Sequence, residues 1–226
     1  MNVFWFRRDL RLEDNVGLFH ALTSEEPVLP LFIFDEAILS QLPKDDARVT
    51  FIHELLSKMQ EQLQTLGKSL AVFHGNPKEV FEQLLRENTV STVYTNHDYE
   101  PYARKRDKEL FQLFKEHNIE FKTSKDQVIF EKSEIVKDDG LPYVVYTPYS
   151  RKWKERFKTI PLMHYPSENH LDQLVAHAYP FLRLESIGFE HSKIKVPTFD
   201  VSKQLIENYE ATRNFPSVKG TSMLGV

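Results

Sequence analysis

The sequence predicts an α/β fold, a doubly wound, five-stranded parallel sheet with helices on both faces. Three observations support this prediction. Five short segments within the first 125 residues are rich in apolar side chains, segments with helical periodicity separate them, and the two kinds alternate strictly. Short strands that are apolar throughout are typical of parallel sheets buried on both faces. Regular alternation with helices indicates crossover connections between parallel strands.

The first predicted strand spans residues 3–6 and ends at a charged loop. A helix follows this loop, because Asn15 is a favourable N-cap and apolar residues then recur with helical spacing. Four charged residues of the loop are expected to cross-link the sheet edge and cap this helix rather than bind a ligand, namely Arg7, Asp9, Arg11 and Asp14. Residues 28–34 form the second predicted strand.

The second predicted helix is the longest of the domain. Apolar side chains recur at steps of three and four over residues 49–66, which predicts an amphipathic helix that ends at Gly67. Another helix begins after Asn76, which can cap it, with Pro77 at its first position. The remaining predicted elements are strands at 70–73, 92–95 and 119–122 and a helix at 101–117.

The pattern changes after residue 125, so we assign residues 1–125 to the α/β domain. Residues 126–200 contain six prolines and little periodicity, which predicts a long connector on the surface. Residues 201–212 are predicted to be helical. Residues 201–226 are interpreted as the start of a second, helical domain.

The composition excludes several classes of protein. The 226 residues include 29 Lys and Arg and 33 Asp and Glu, a net charge of −4, so the chain lacks the overall basic excess of histone-like proteins. It contains no cysteine, which excludes disulfide scaffolds, thiolate metal sites and a cysteine nucleophile. The apolar runs are too short to span a bilayer. We expect a cytoplasmic protein with no membrane partner.

Motifs for nucleotides and metals are incomplete. The loop after the first strand lacks the glycines of a dinucleotide fingerprint. The triplet Gly67-Lys68-Ser69 precedes a strand instead of opening a helix, so it is not a phosphate-binding loop. His53 begins a zincin-like string, but Ser57 stands where the second histidine ligand is needed. We therefore predict no metal site.

A basic and aromatic segment of the connector is a candidate nucleic-acid contact. Arg151, Lys152 and Lys154 surround Trp153, and cations interleaved with aromatic rings suit phosphate contact beside a stacking surface. A solvent-exposed helix face is the alternative interpretation.

Several sequence strings resemble the cryptochrome/photolyase family and occur in the family's order. They are FWFRRDLRLEDN at 4–15, YEPYARKRD at 99–107, YTPYSRKW at 146–153, and Tyr209 followed by GTSML at 220–224. The resemblance covers nearly the whole chain. It implies a Rossmann-like antenna domain, an interdomain connector and a helical FAD-binding domain that the sequence enters only at its start.

The resemblance also implies a function. DNA photolyases of this family repair cyclobutane pyrimidine dimers in UV-damaged DNA by electron transfer from photoexcited reduced FAD, and an antenna chromophore passes excitation energy to the flavin. Tyr209, Thr221, Ser222 and Leu224 match part of the FAD-phosphate motif. The catalytic residues are expected in the rest of the helical domain, which is also the expected partner of this segment. The 226 residues alone are expected to hold no cofactor firmly and to be inactive.

The resemblance further distinguishes between types of antenna. Members with a folate antenna carry an amide and an acid where this sequence has Tyr102 and Ala103. Members with a deazaflavin or flavin antenna resemble this chain more closely. The candidate antenna residues are Phe34, Asp35, Arg48, Asp98 and Glu100. A cation and carboxylates can hydrogen-bond the edge of a flat ring while a phenyl group packs on its face. Alternatively, Arg48 and Asp98 form an ion pair that only fixes two helix starts.

Two other functions stay open from the sequence. A cryptochrome-type blue-light photoreceptor has the same architecture without repair activity. A stand-alone nucleotide-binding α/β domain is disfavoured because the chain lacks a glycine-rich phosphate loop.

Overall fold

A computed structural model describes residues 1–177, 179–196, 202–215 and 217. Five parallel strands form one sheet in the order β3-β2-β1-β4-β5. The strands are β1 (Asn2–Phe6), β2 (Val28–Asp35), β3 (Ala71–Gly75), β4 (Thr92–Asn96) and β5 (Glu120–Ser124). The helices are α1 (Val16–Leu22), α2 (Glu36–Leu39), α3 (Ala47–Thr65), α4 (Pro77–Glu87), α5 (Pro101–Glu116), α6 (Tyr146–Phe157) and α7 (Lys203–Thr212). The predicted fold class is confirmed.

The strand order reverses between β1 and β4. The chain proceeds from β1 through β2 to β3 on one side and then returns to place β4 on the other side of β1. Trp5 of β1 accordingly pairs with Leu31 of β2 and with Thr95 of β4. In doubly wound sheets this reversal opens a crevice at the carboxyl ends of the strands, where ligands bind.

Alternating side chains of β1 point to two separate hydrophobic cores. Phe4 and Phe6 belong to the core that contains Leu18 of α1 and Leu56 of α3. Trp5 points to the other face, where its ring lies 5.3 Å from that of Phe81 in α4. Because both faces of the sheet are covered, its central strands are buried along their whole length.

Local signals place the helix starts where the sequence predicts them. The side chain of Asn15 accepts a hydrogen bond from the backbone of Leu18, and that of Asn76 accepts one from Lys78. Gly67 follows α3 with a φ of +67°, a left-handed conformation that favours glycine. The predictions from local sequence thus hold at these boundaries.

The connector is anchored in the α/β domain at several points. The Ser167 hydroxyl donates to the carbonyl of Leu12 at 2.6 Å, and the backbone N–H of Val175 donates to Val28 at 2.9 Å. Leu184 and Phe189 are buried in the first core. The connector therefore covers part of the core, whereas the division of the chain at residues 125 and 200 stays a prediction.

The connector contains one α-helix, α6, which agrees with the alternative interpretation of Arg151, Lys152 and Lys154 as a solvent-exposed helix face. This helix spans twelve residues, and none of them is buried. Because no side chain of α6 is fully buried, the helix needs no continuous apolar stripe, and its helical periodicity in the sequence is weak. Short 3₁₀ helices at Lys132–Glu134, Ser167–Gln173 and Leu184–Ile187 complete the connector.

Within the described ranges no helix is both long enough and apolar enough to span a membrane. Helix α7 matches the predicted helix at 201–212 from Lys203 onward, and residue 201 lies outside the described residues.

Candidate functional site

A buried group of polar residues holds the carboxyl ends of β1 and β4 together. We call Asp9, Asn15 and Asn96 the polar hub. The Asn96 amide donates to the Asp9 carboxylate at 2.5 Å and to the Asn15 side-chain oxygen at 2.8 Å. Its own oxygen accepts the backbone N–H of Gly17 at 2.9 Å. A Cβ on Gly17 would lie 2.5 Å from this oxygen, so the close approach requires glycine.

Charged residues of the loop after β1 extend this network to α5 and the connector. The Arg7 guanidinium donates to both oxygens of Asp107, at 2.7 and 2.8 Å, and to the carbonyl of Asn96. Arg11 forms an ion pair with Asp126 at 2.7 Å. The expectation that this loop cross-links the sheet edge is confirmed by these contacts.

Asp35 stands at the end of β2 and is bound by two side chains of α5. The Tyr102 hydroxyl lies 2.9 and 2.8 Å from its two carboxylate oxygens, and Arg106 lies 3.5 Å from one of them. Burial and then the hydrogen bond to Asp35 raise the pKa of Tyr102 to about 12. The Arg106 guanidinium also stacks over Trp5, 4.7 Å from the ring centre. Asp35 is therefore held in a fixed position at the sheet edge.

Sequence reasoning missed Tyr102 and Arg106 as partners of Asp35. Their spacing of four residues places both on one face of α5, which was the available signal. Ala103 stands where family members with a folate antenna carry an acidic residue. It is 2% exposed and lies on the buried side of this helix. The first turn of α5 thus presents a tyrosine bound to Asp35 and a buried alanine.

Arg48 and Asp98 have separate partners. The Arg48 guanidinium donates to Asp46 at 2.7 Å and is 71% exposed at the start of α3. Asp98 forms an ion pair with Arg8 at 3.2 Å, and Arg8 also lies 3.7 Å from Glu100. The alternative of an Arg48–Asp98 ion pair is therefore wrong, because Arg48 pairs with Asp46 and Asp98 pairs with Arg8 of the loop after β1.

Phe34 is almost completely buried. Its ring packs edge-on against Phe32 at 5.0 Å within the first core. The candidate antenna residues thus differ in their surroundings. Phe34 and Asp35 are buried, the Arg48 guanidinium is exposed, and the carboxylates of Asp98 and Glu100 lie beside Arg8.

A cavity of about 450 Å³ lies between the β4–α5 loop, α5, β5 and the connector. Its lining residues are His97, Asp98, Tyr99, Arg104, Asp107, Phe121, Thr123 and Lys132. The Glu131 carboxylate secures one wall, because it accepts hydrogen bonds from the Tyr99 hydroxyl and from His97. Burial, then the hydrogen bond to Glu131, raises the pKa of Tyr99 well above its ordinary value.

The other candidate residues lie apart from the sheet edge. Arg151, Lys152 and Lys154 are exposed on α6, where Trp153 stacks on Phe157 with ring centres 5.0 Å apart. Tyr209 is exposed on α7. Thr221, Ser222 and Leu224 lie outside the described residues. No cluster of metal-ligating side chains occurs in the part of the chain that the structure describes.

Comparison with known proteins identifies relatives of this chain. The family model described as DNA photolyase matches residues 2–168. The chain is 31% identical over 239 residues to the deoxyribodipyrimidine photo-lyase of Synechococcus sp. (strain ATCC 27144 / PCC 6301), covering 98% of this chain and 49% of the relative. It therefore spans about half the length of this curated relative.

Solved structures show the same fold. An archaeal photolyase from Sulfolobus tokodaii, which contains two FAD molecules, is 36% identical, with a TM-score of 0.56 over 61% of this chain and 32% of that one. A bacterial class III photolyase from Agrobacterium tumefaciens is 24% identical, with a TM-score of 0.67 over 93% of this chain and 40% of that one.

Proposed function

The chain belongs to the DNA photolyase family, and on this premise we propose that its α/β domain is the antenna-binding part of a deoxyribodipyrimidine photolyase. The proposed reaction of the longer protein is light-driven repair of cyclobutane pyrimidine dimers in UV-damaged DNA. FAD, when bound, supplies the electron for this repair. Tyr209, Thr221, Ser222 and Leu224 are proposed to contribute to its phosphate site.

The first turn of α5 supports a flavin or deazaflavin antenna over a folate. It offers no free carboxylate for a folate, because Ala103 is buried and the Tyr102 hydroxyl is bound to Asp35. The Sulfolobus relative, whose structure contains two FAD molecules and implies a novel light-harvesting cofactor, favours the same class. This replacement at the folate-related position is the observation that carries the proposal.

The donor and acceptor set at the carboxyl edge fits the rim of a flat heteroaromatic ring. Arg48 is the exposed donor. The Asp35 carboxylate already accepts from Tyr102, Arg106 and the backbone N–H of Ala37, and we assign its remaining acceptor capacity to a ring N–H. Arg106, between Trp5 and Tyr102, keeps this carboxylate in place. An antenna pigment, when bound, supplies light absorption.

Phe34, Asp98 and Glu100 have subsidiary roles in the proposal. Phe34 supports the floor of the site from within the core, since its ring is packed against Phe32. Asp98 and Glu100 hold Arg8, which adds a second cation to the same edge of the sheet. The ring would thus meet two guanidinium groups that the chain itself orients.

The DNA partner is proposed to meet the exposed cations of α6. Arg151, Lys152 and Lys154 carry no buried partner, and the nearest acid to Lys152 is the fully exposed Asp138 at 3.9 Å. Phosphate contacts of this kind weaken with salt and carry no sequence information. The helical domain, which contains the catalytic residues of the proposed reaction, is the second partner.

Fluorescence titration with FMN, an 8-hydroxy-5-deazaflavin and a reduced folate tests the antenna assignment. We expect one of the two flavin-type ligands to bind more tightly than the folate. Arg48→Gln should weaken that ligand about tenfold, as expected for one lost charge-assisted hydrogen bond. Lys58→Gln, an exposed cation farther along α3, is the matched control and should change nothing. Tighter folate binding, or an unchanged affinity in Arg48→Gln, would contradict the assignment.

The repair reaction is tested on the gene product that carries this sequence at its full length. After reduction of its flavin, blue light should restore an oligonucleotide that contains a cyclobutane dimer. Binding of dimer-containing DNA without any light-dependent restoration would instead indicate a cryptochrome-type photoreceptor.

A further inference from the structure

The cavity beside β5 has the position and size of a small-molecule site. It opens at the carboxyl ends of β4 and β5, the edge of a doubly wound sheet at which ligands bind. Its volume of about 450 Å³ lies in the range that small organic ligands occupy. Of the proposed antenna residues only Asp98 lines it, whereas Phe34, Asp35 and Arg48 do not.

The acidic groups of this cavity are neutralised within the chain. Asp98 is paired with Arg8 at 3.2 Å. Asp107 is paired with Arg7 at 2.7 Å and with Arg106 at 3.3 Å. The carboxylates in the lining therefore offer little attraction for a cation.

Two cations in the same lining form no such close ion pair, although Lys132 interacts electrostatically with its sequence neighbour Glu131. Among the described residues, neither the Arg104 guanidinium nor the Lys132 ammonium group forms a side-chain hydrogen bond or an ion pair. The nearest acid in sequence to Lys132, Glu131, is held by Tyr99 and His97. Two exposed cations from different segments, α5 and the connector, thus face one cavity, which indicates an anionic ligand.

The rest of the lining suits a ring that carries polar groups. Phe121 and Tyr99 contribute aromatic surface, and Thr123 contributes a hydroxyl that lies 2.9 Å from His97 Nε2. The Glu131 carboxylate fixes His97 from the other side at 2.5 Å. The wall is therefore preorganised by the chain, which lowers the entropy cost of binding.

We propose that this cavity binds a mononucleotide, whose phosphate lies between Arg104 and Lys132 and whose base packs against Phe121. The phosphate accounts for the two unpaired cations. The base accounts for the aromatic wall, and the hydroxyl of Thr123 and the imidazole of His97 supply polar contacts for the base or sugar. The cavity shares Asp98 with the proposed antenna residues, but its two cations, Arg104 and Lys132, are not among them, and the proposal does not depend on the antenna assignment.

Isothermal titration of the 226-residue chain with AMP tests the proposal, with adenosine as the ligand that lacks the phosphate. AMP should bind in the micromolar to low millimolar range, and adenosine at least about tenfold more weakly. Arg104→Gln and Lys132→Gln should each weaken AMP about tenfold, and Arg104→Lys should retain part of the affinity because it keeps the charge. Lys105→Gln is the matched control, since this neighbouring cation is 80% exposed and lies near Glu109.

Three results would overturn the proposal. They are no AMP binding at about 10 mM, equal affinities for AMP and adenosine, and an unchanged AMP affinity in both Arg104→Gln and Lys132→Gln. Arg48→Gln separates the two sites, because it should weaken the flavin-type ligand without affecting AMP. A loss of AMP affinity in Arg48→Gln as large as in Arg104→Gln would place AMP in the antenna site and refute the separate cavity site. Circular dichroism of each variant confirms that it folds.

Discussion

The polar hub and the exposed cations of the same sheet edge differ in how their hydrogen bonds are satisfied. The hub residues are less than about one-tenth exposed, and their amide and carboxylate groups bond to one another or to nearby backbone. By contrast, Arg48 is 71% exposed and bonds only to a neighbour two residues away, while Arg104 has no side-chain partner among the described residues.

This difference distinguishes residues that fix the fold from residues that are accessible to a ligand. A buried polar group must find its partners inside the chain, because water cannot replace them, and a fully satisfied network therefore fixes one geometry. An exposed cation keeps a hydration shell that a ligand can displace. The hub thus aligns the strand ends and helix starts, and the exposed cations beside it are the groups that we propose for ligand binding.

The largest effect is expected from breaking the hub. Asn96→Ala removes the donors to Asp9 and Asn15 and the acceptor for Gly17, and it leaves these buried groups unpaired. We expect the free energy of unfolding to fall by about 3 kcal/mol, since each unsatisfied buried group costs about 1–3 kcal/mol. Urea denaturation measures this change.

Asn208→Ala, in the exposed helix α7, is the matched control and should be nearly neutral. A loss below about 1 kcal/mol in Asn96→Ala, within the range of one ordinary hydrogen bond, would show that water or rearranged neighbours satisfy the hub and that the contrast is wrong.

A smaller effect is expected at the Arg7–Asp107 ion pair, which lies next to the hub. Asp107→Asn leaves the Arg7 guanidinium, whose side chain is 6% exposed, facing a neutral amide instead of a carboxylate. We expect a loss of about 2 kcal/mol, below the 3–5 kcal/mol typical of removing a buried partner outright, because the amide oxygen still accepts one bond. Urea denaturation again gives the value. Asp139→Asn, at an ion pair that is about half exposed, should cost at most about 0.5 kcal/mol; equal losses would contradict the prediction.

The connector anchor at Glu131 should make stability depend on pH. Burial alone raises the pKa of this carboxyl, but the hydrogen bonds from Tyr99 and His97 outweigh it and hold the pKa below its ordinary value. A lowered folded-state pKa contributes stability that is present above the unfolded-state value and is lost as pH falls through the folded-state value. The stability of the wild-type protein should therefore decrease below about pH 4.5.

Glu131→Gln removes this contribution. We expect the variant to be less stable at neutral pH by about 1 kcal/mol and to lose less stability on acidification than the wild type does. Thermal unfolding between about pH 7 and pH 3 measures both effects. Glu120→Gln, at a carboxylate 61% exposed on β5, is the control and should follow the wild-type profile. An identical profile in Glu131→Gln would refute the assignment.

The same contrast explains what could be predicted from the sequence. The sheet and the helices that begin after Asn15 and Asn76 follow from burial patterns and local caps, which are properties of neighbouring residues. For α6 the sequence left a solvent-exposed helix face open only as an alternative, because none of its side chains is fully buried. The binding of Tyr102 to Asp35, 67 residues apart, depends on how α5 lies against the sheet and could not follow from local sequence.

Arg48, unlike Tyr102, has a partner that is close in sequence. Its partner, Asp46, lies two residues away and caps α3, so local chemistry alone would have predicted this pair in preference to one with Asp98. The resemblance to known proteins identified Arg48 as a candidate ligand contact, whereas the structure shows that Asp46 holds its guanidinium.

The smallest effect on stability is expected at Arg48, whose side chain is 71% exposed. Hydrogen bonding to the Arg48 guanidinium holds the pKa of Asp46 below its ordinary value. Arg48→Gln should therefore raise the pKa of Asp46 toward that value while leaving the midpoint of thermal unfolding unchanged, because an exposed guanidinium adds little to stability. NMR titration of the Asp46 carboxyl carbon measures the pKa, and Lys58→Gln should leave it unaltered. A large drop in thermal stability would show that Arg48 is a structural residue like those of the hub, and it would remove the reason for assigning it to a ligand.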